Sequence, residues 1–354
     1  MAPTLDDIAK LADVSKSTVS LVLNDKPGVS AELKQTVLRA ATELGYRTAQ
    51  TRSAQRGSPR NQANKATTYS IAVVHAQSSH KAASTYEPTD LYLNYLKGIR
   101  AFAQASNLNL TVLTGYNEED ARQLAFHLLH NSTPAFDGLL LMGGSAQQNR
   151  QLISQILENG LPTVALSRAW PDLPISTVGP DYRQQVRLAL DYLAGLGHRH
   201  IAFIASEDDQ RFDWYRWRLD AYREAIYRHN GTVDEELIVM GDTGAAATQI
   251  LLQQRPDTTA IFAINDERAL EAWAGLQQNK YQVPQDISLI GQDNVIELMG
   301  HHPKLTTVSF PHVDVGYLAT ELLVKQMGSP QISHCNCWVQ CSLVVRASCD
   351  KPKR

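Results

Sequence analysis

The sequence predicts an α/β protein with a two-lobed, doubly wound core behind an N-terminal all-α head of helix-turn-helix type. Three observations carry this prediction. The first 45 residues hold three short stretches with a helical apolar period and no strand-like run. From Ser70 onward, apolar strand-like runs alternate with helical periods, and the alternation breaks and begins again near Ile201.

In the head, Thr4 and Asp7 stand at the spacing of a helix start, and Ile8, Ala9, Leu11 and Ala12 supply an apolar stripe that ends near Ala12. Asp13-Val14 makes a short turn. Ser15 is placed to cap a second helix running through Asn24, with Val19, Val22 and Leu23 facing inward. Ser30 caps a third helix carrying Leu33, Val37, Leu38, Ala41 and Leu44, which Gly45 stops. Lys16, Ser17, Leu21 and Asn24 fall on the face of the second helix that the core does not use. Lys16 can donate to guanine O6 and N7, Leu21 can touch a thymine methyl and Ser17 can bond either way. Thr18, Ser20 and Asn24 are short donors suited to phosphate oxygens. A three-helix protein-interaction module with a solvated polar face fits the same pattern.

Charge adds a modest pointer. Residues 1–65 hold ten Lys/Arg against six Asp/Glu, although the whole chain carries a net charge of -3. A basic head on an acidic body suits a polyanion at one end only.

The runs Thr4-Leu5-Asp6-Asp7-Ile8-Ala9, Val14-Ser15-Lys16-Ser17-Thr18-Val19-Ser20-Leu21-Val22-Leu23-Asn24 and Val29-Ser30 closely resemble the start of the LacI/GalR family of bacterial transcription regulators. The resemblance implies that Lys16, Ser17 and Leu21 read bases. It implies phosphate contacts from Ser15, Thr18, Asn24 and Ser30, to which Thr4 and Ser20 are added. Asp13 departs from the Gly usual in the turn, and Asp tolerates left-handed backbone better than most residues.

Residues 47–68 have linker composition, with Gly57, Pro59 and no apolar period. The family continues after its Tyr with Pro-Asn and a hinge helix bearing a Leu that enters the minor groove. Here Thr48-Ala49 follows Tyr46, and Gln55 stands near the expected Leu, so the hinge signature is degenerate. Arg52, Arg56 and Arg60 can hold phosphates or enter a narrow minor groove, and a solvated tether fits equally.

The body reads as Ile71 to Val74, a helix across Leu96 to Ala105, Leu110 to Leu113, another helix, then Gly138 to Met142. It resumes with Ile201 to Ile204, a helix from Arg218 to Arg228, Ala260 to Ile264 and Ile287 to Ile290. Parallel sheets of this kind leave a cleft at the strand carboxyl ends. The family resemblance continues through Leu196-Gly-His-Arg-His-Ile201, Ile264-Asn-Asp266, Ile290-Gly-Gln-Asp293 and Leu343-Val-Val-Arg-Ala-Ser348. It implies a periplasmic-binding-protein-like core with three crossings between lobes, near 178, 308 and 335. The expected organisation is a head over 1–46, a linker over 47–68 and an effector-binding and dimerisation domain over 69–350. Its first lobe covers about 69–178 and 309–335, and its second about 179–308 and 336–350.

The same resemblance assigns Arg218, Asn265 and Asp293 to the effector. An Arg fork, an amide and a carboxylate satisfy several hydroxyls of a polyol at once. Read alone, the three residues fit a helix-start ion pair, a turn cap and a loop carboxylate. Trp170, Trp214 and Trp217 lie beside loops near the cleft and can stack on a sugar ring or pack into the fold. His75 and Gln77, ending the first strand, are weaker candidates. Thr243 stands where some sugar-binding relatives place an aromatic, while Val164 to Arg168 and the head resemble the maltose-regulon branch.

The expected function is that of a sequence-specific DNA-binding regulator, a repressor, bound as a homodimer to a palindromic double-stranded operator and controlled by a small effector, a sugar. The alternative is a sugar-sensing module whose degenerate head does not bind an operator specifically. No G-x-G-x-x-G, Walker A, G-x-S-x-G or H-E-x-x-H spacing occurs, so no enzyme and no cofactor are expected. Cys335, Cys337, Cys341 and Cys349 read as free thiols, and no metal site is expected. With no run of about 18 apolar residues and no signal-peptide pattern, the expected place is the cytoplasm at the nucleoid, without membrane contact.

Overall fold

The computed structural model describes residues 4–23, 29–44, 68–76, 89–114, 136–143, 153–167, 173–295, 304–329 and 333–353. The expectations placed on Asn24, Gly45, Arg52, Arg56, Arg60, Gln77 and Trp170 lie outside the described residues.

The head contains α1 (Leu5–Leu11), α2 (Lys16–Leu23) and α3 (Ala31–Glu43). A capping box starts α1: the Asp7 N–H donates to Thr4 Oγ1 at 3.4 Å and the Thr4 N–H donates to Asp7 Oδ2 at 2.7 Å. The Thr18 N–H donates to Ser15 Oγ at 3.1 Å, and the Leu33 N–H donates to Ser30 Oγ at 3.3 Å. Asp13 takes φ +50° in the turn between α1 and α2, the left-handed geometry usually left to glycine. Ile8, Ala9, Ala12, Val19, Val22, Val37, Ala40 and Ala41 form the head's core. Leu11 and Leu33 correct the predicted stripes, because both are exposed. A seven-residue helix fills its inner face with Ile8, Ala9 and Ala12, and Leu11 is turned about 100° away from Ala12.

The body is built on two six-stranded sheets among the described residues. The first contains β1 (Ser70–Ala76), β2 (Asn109–Thr114), β3 (Gly138–Gly143), β4 (Thr163–Leu166), β5 (Ser176–Pro180) and β11 (Asn336–Val339), in the order β11-β5-β4-β3-β1-β2. The second contains β6 (Ile201–Ser206), β7 (Ile238–Gly241), β8 (Ala260–Ala263), β9 (Ser288–Asp293), β10 (Thr306–Ser309) and β12 (Ser342–Val344), in the order β12-β10-β9-β8-β6-β7. Every pairing is parallel except β10 with β12. The helices are α4 (Thr89–Ala105), α5 (Tyr182–Leu196), α6 (Asp213–Asn230), α7 (Gly244–Gln254), α8 (Asp266–Gln278) and α9 (His312–Gly328). Residues of β6, β8 and β9 are buried throughout, as expected for parallel strands covered on both faces.

The chain passes between the sheets after Pro180, between Ser309 and His312, and between Val339 and Ser342. The last passage falls later than the expected 335. Asn336 to Val339 remain with the first sheet because they pair in parallel with Thr177 to Pro180, and the Thr177 N–H donates to the Cys335 carbonyl at 3.0 Å. Only Gln340 and Cys341 make the crossing.

Helices α4 and α9 pack closely on each other through two glycines. A Cβ on Gly98 would lie 1.8 Å from the Val313 carbonyl oxygen, and one on Gly316 would lie 2.2 Å from the Tyr95 carbonyl oxygen. Backbone meets backbone at both points, so no side chain can swing aside to relieve the clash. Gly98→Ala is therefore expected to lower stability by ~1–3 kcal/mol or more. Urea unfolding followed by circular dichroism measures this as a lower midpoint at unchanged slope.

Candidate functional site

Two surfaces carry chemistry, one on the head and one where the two sheets meet. On the head, Ser15, Lys16 and Ser17 are exposed, Thr18, Ser20 and Leu21 are half-buried, and none of them belongs to the fully buried core. Thr4 and Ser30, also exposed, sit at the starts of α1 and α3. The hydroxyl of Ser15 lies 2.7 Å from that of Ser17 and 2.8 Å from that of Thr18, so three hydroxyls gather at the start of α2. Lys16 Nζ rests 2.8 Å from Asp6 Oδ2, with both side chains more than half exposed. Such a surface pair is worth at most about 1 kcal/mol and gives way readily to a stronger partner.

Between the lobes, the centre of the second surface is Arg218, which is 3% exposed in the second turn of α6. Its Nη2 donates to Asp293 Oδ1 at 2.7 Å and to Gln185 Oε1 at 3.0 Å, and its Nη1 donates to the Ile264 carbonyl at 2.6 Å. Gln185 Nε2 closes the triangle on Asp293 Oδ1 at 3.3 Å. The guanidinium lies 5.3 Å from the centre of the Tyr182 ring and 5.2 Å from that of Trp214. Phe212 stacks on Trp214 with ring centres 5.2 Å apart, and Trp217 packs on Tyr182 at 5.4 Å. Asp293 ends β9 at φ +95°, and Asn294 follows at φ +52°, so the backbone turns sharply where the carboxylate is presented.

The first sheet contributes the opposite wall. The Tyr182 hydroxyl donates to the Ser167 carbonyl at 2.8 Å, and Tyr95 Oη is hydrogen-bonded to Ser167 Oγ. Tyr95 packs on Phe310 and on the edge of His312, at the second crossing. Burial and the neighbouring Tyr182 push the Tyr95 phenol well above its usual range, so it stays a neutral donor.

The predicted effector residues therefore divide. Arg218 and Asp293 come together. Asn265 is the N-cap of α8, its Oδ1 accepting from the Arg268 N–H at 2.8 Å, and it is half-buried. Trp214 and Trp217 stand on the same turns as Arg218. His75 lies in β1, but its side chain is outside the described residues. Thr243 caps α7. Sequence reasoning missed Tyr95, Ser167, Tyr182 and Gln185. The one available signal was the Tyr182 to Gln185 spacing, which puts both on one face of α5.

Beneath Asp293 lies Asp266, fully buried at the start of α8, with Thr307 Oγ1 donating to its Oδ1 at 2.6 Å and the Val295 N–H donating to its Oδ2 at 3.0 Å. Burial raises its carboxyl from the ordinary 3.8 to about 8, assisted by the charge of Asp293.

These surfaces define a class: a helix-turn-helix head joined to a two-lobed binding domain. A model of bacterial regulatory proteins of the lacI family matches residues 4–49, and one of periplasmic binding protein-like domains matches residues 190–349. The regulator CelR of Thermobifida fusca is 30% identical over 355 residues, covering 98% of each chain. The repressor CytR of Escherichia coli K12 is 29% identical over 98% of this chain and 96% of its own. The solved structure of a CelR–cellobiose complex superposes with a TM-score of 0.69 at 28% identity, covering 98% of this chain and 99% of that one. The chain belongs to the LacI family of DNA-binding transcription regulators.

Two outcomes follow for the site. Asp293→Asn strands the buried Arg218 guanidinium and is expected to cost ~3–5 kcal/mol, part of which Arg218→Met on the same chain recovers; chemical denaturation of the three proteins measures both. Asp266 binds its proton more tightly folded than unfolded, so its contribution to stability is full below about pH 4 and is lost as pH rises towards 8. One proton gives a slope of at most about 1.4 kcal/mol per pH unit across that window. Asp266→Asn should flatten the slope in a melting series from pH 4 to pH 8.

Proposed function

We propose that this protein is a dimeric repressor. Its head reads a palindromic operator in double-stranded DNA, and a sugar bound between the lobes alters the angle at which two heads are presented. The observation that carries the reading is the α2 face, on which Lys16 and Ser17 stand outside the head's core with their polar groups toward solvent. Lys16, Ser17 and Leu21 take base edges in the major groove. Thr4, Ser15, Thr18, Ser20, Asn24 and Ser30 take phosphates, and Arg52, Arg56 and Arg60 follow the backbone beyond them. Arg218 and Asp293 bind the effector, with Asn265 and the tryptophans at the rim. Cellobiose in the related CelR complex supports a sugar.

Dimerisation is supported by α4 and α9, which expose Leu93, Val313, Tyr317 and Leu318 on two packed helices. The head covers 1–46, the linker 47–68 and the effector domain 69–350. The protein has no catalytic role and works in the cytoplasm at the nucleoid. No helix among the described residues is long and apolar enough to cross a membrane.

Selection of genomic fragments followed by fluorescence anisotropy tests the reading. Lys16→Ala should weaken binding to the selected fragment by about 10- to 100-fold while leaving weak non-specific binding nearly intact. Asp6→Asn, which frees Lys16, should tighten it severalfold. Absence of salt-sensitive, specific binding by the native protein would defeat the proposal.

A further inference from the structure

We infer that Gln292 is a specificity-determining residue of the effector cleft and reads the hydroxyls of a neutral polyol; the inference rests on the effector reading above. Gln292 is fully buried, yet neither Oε1 nor Nε2 of its amide has a hydrogen-bond partner among the described residues. An amide removed from water and left unpaired opposes folding, and proteins retain few such groups without a use for them.

Its position supplies the use. Gln292 immediately precedes Asp293 at the carboxyl end of β9, and ligands of open parallel sheets bind at that end. Gln292 pairs in register with Val308 of β10. Continuing the register of Phe262 with Ile290 by two residues places Gln292 in line with Ile264, whose carbonyl holds Arg218 Nη1. Strand alternation turns Gln292 to the same side as Ile290, which together with Ile264 and Val308 belongs to the core cluster of α5 and α6. Leu289 packs in the other cluster, and Gly291 abuts Asp266 and Ala269 on that opposite face. The Gln292 amide thus lies on the side of the sheet that carries Arg218, Gln185 and Tyr182.

A second unpaired group points the same way: Arg218 Nε is also buried without a partner. The unused chemistry is then one carbonyl acceptor, one amide donor group and one guanidinium N–H. Adjacent hydroxyls, each able to donate and accept, complement that set. Because Asp293 already neutralises the guanidinium at 2.7 Å, the site does not demand an anionic ligand. The chemistry favours a neutral sugar over a sugar phosphate or sugar acid.

Replacing Gln292 by Met, an apolar chain of similar length, separates stability from binding. The test is thermal melting of the native full-length protein and Gln292→Met, alone and with neutral mono- and disaccharides that include cellobiose and ribose. Glucose 6-phosphate and gluconate serve as anionic members, and titration calorimetry follows on any compound that shifts the native protein. The expected result is a higher melting temperature for ligand-free Gln292→Met together with at least tenfold weaker binding of a neutral sugar, equivalent to about 1.4 kcal/mol. A lower melting temperature, or failure to fold, overturns the inference, because the amide then serves the fold. Equal affinity in the two proteins also overturns it and leaves the effector reading standing. A native protein shifted only by the anionic members overturns the neutral class. If no compound shifts the native protein, the effector reading falls and the inference falls with it.

Discussion

The charge of Arg218 is the constraint around which the body is arranged. A guanidinium removed from water is costly unless it is paired and its N–H groups are bonded, and here the partners come from four elements. Asp293 ends β9, Gln185 lies in α5, Ile264 follows β8, and Tyr182 with Trp214 close the faces of the planar group. Each partner is fixed by its own element: β8 and β9 by sheet pairing, α5 by its Asp181 cap and α6 by its packing on α5. The ion pair contributes less to stability than its short distance suggests, since desolvation offsets most of the attraction. Its stronger effect is on geometry, because Nη1 and Nη2 reach their partners only when β8, β9, α5 and α6 are brought together around one point.

Asp293 is held in turn by what lies under it. Asp266 takes the Thr307 hydroxyl and the Val295 N–H, tying the loop after β9 to β10 just before the chain leaves the second sheet. Gly291 makes room for it, since a Cβ there would lie 2.3 Å from Asp266 Oδ1. On the opposite wall, Tyr95 rests in α4, whose crossing with α9 is set by Gly98 and Gly316. Residues remote from the cleft therefore decide where its two walls stand.

Much of this was legible in the sequence, and for identifiable reasons. The head's caps at Thr4, Ser15 and Ser30 are local interactions, three residues long, and local chemistry is what a sequence states most directly. Asp13 was readable for the same reason. The strands β1, β2, β3, β6, β8 and β9 announced themselves as apolar runs. Leu11 and Leu33 were misread because an apolar period does not say how much of a stripe the neighbouring helices reach: Leu11 ends the seven-residue α1, and Leu33 lies in the first turn of α3. Tyr95 left no sequence signal and Gln185 only its spacing from Tyr182, since their roles depend on contacts 72 residues away in one case and 108 in the other. The third crossing was misplaced because β11 is short and largely exposed, so no apolar run marks which sheet it joins.

That third crossing also limits how the lobes can move. Gln340 and Cys341 alone bridge β11 and β12, and the Cys341 N–H is held by Gln184 Oε1 at 2.7 Å. Two extended residues reach only about 7 Å, and the passage from Ser309 to His312 is as short. Tethers of that length act as pivots rather than rails. A turn about a line drawn through the crossings keeps each tether at its length, whereas a sideways slide by even one strand spacing would tear the pairing at β11 or β12. A turn of a few degrees about such a line moves the far ends of the lobes by ångströms, which is the kind of displacement that short tethers leave open.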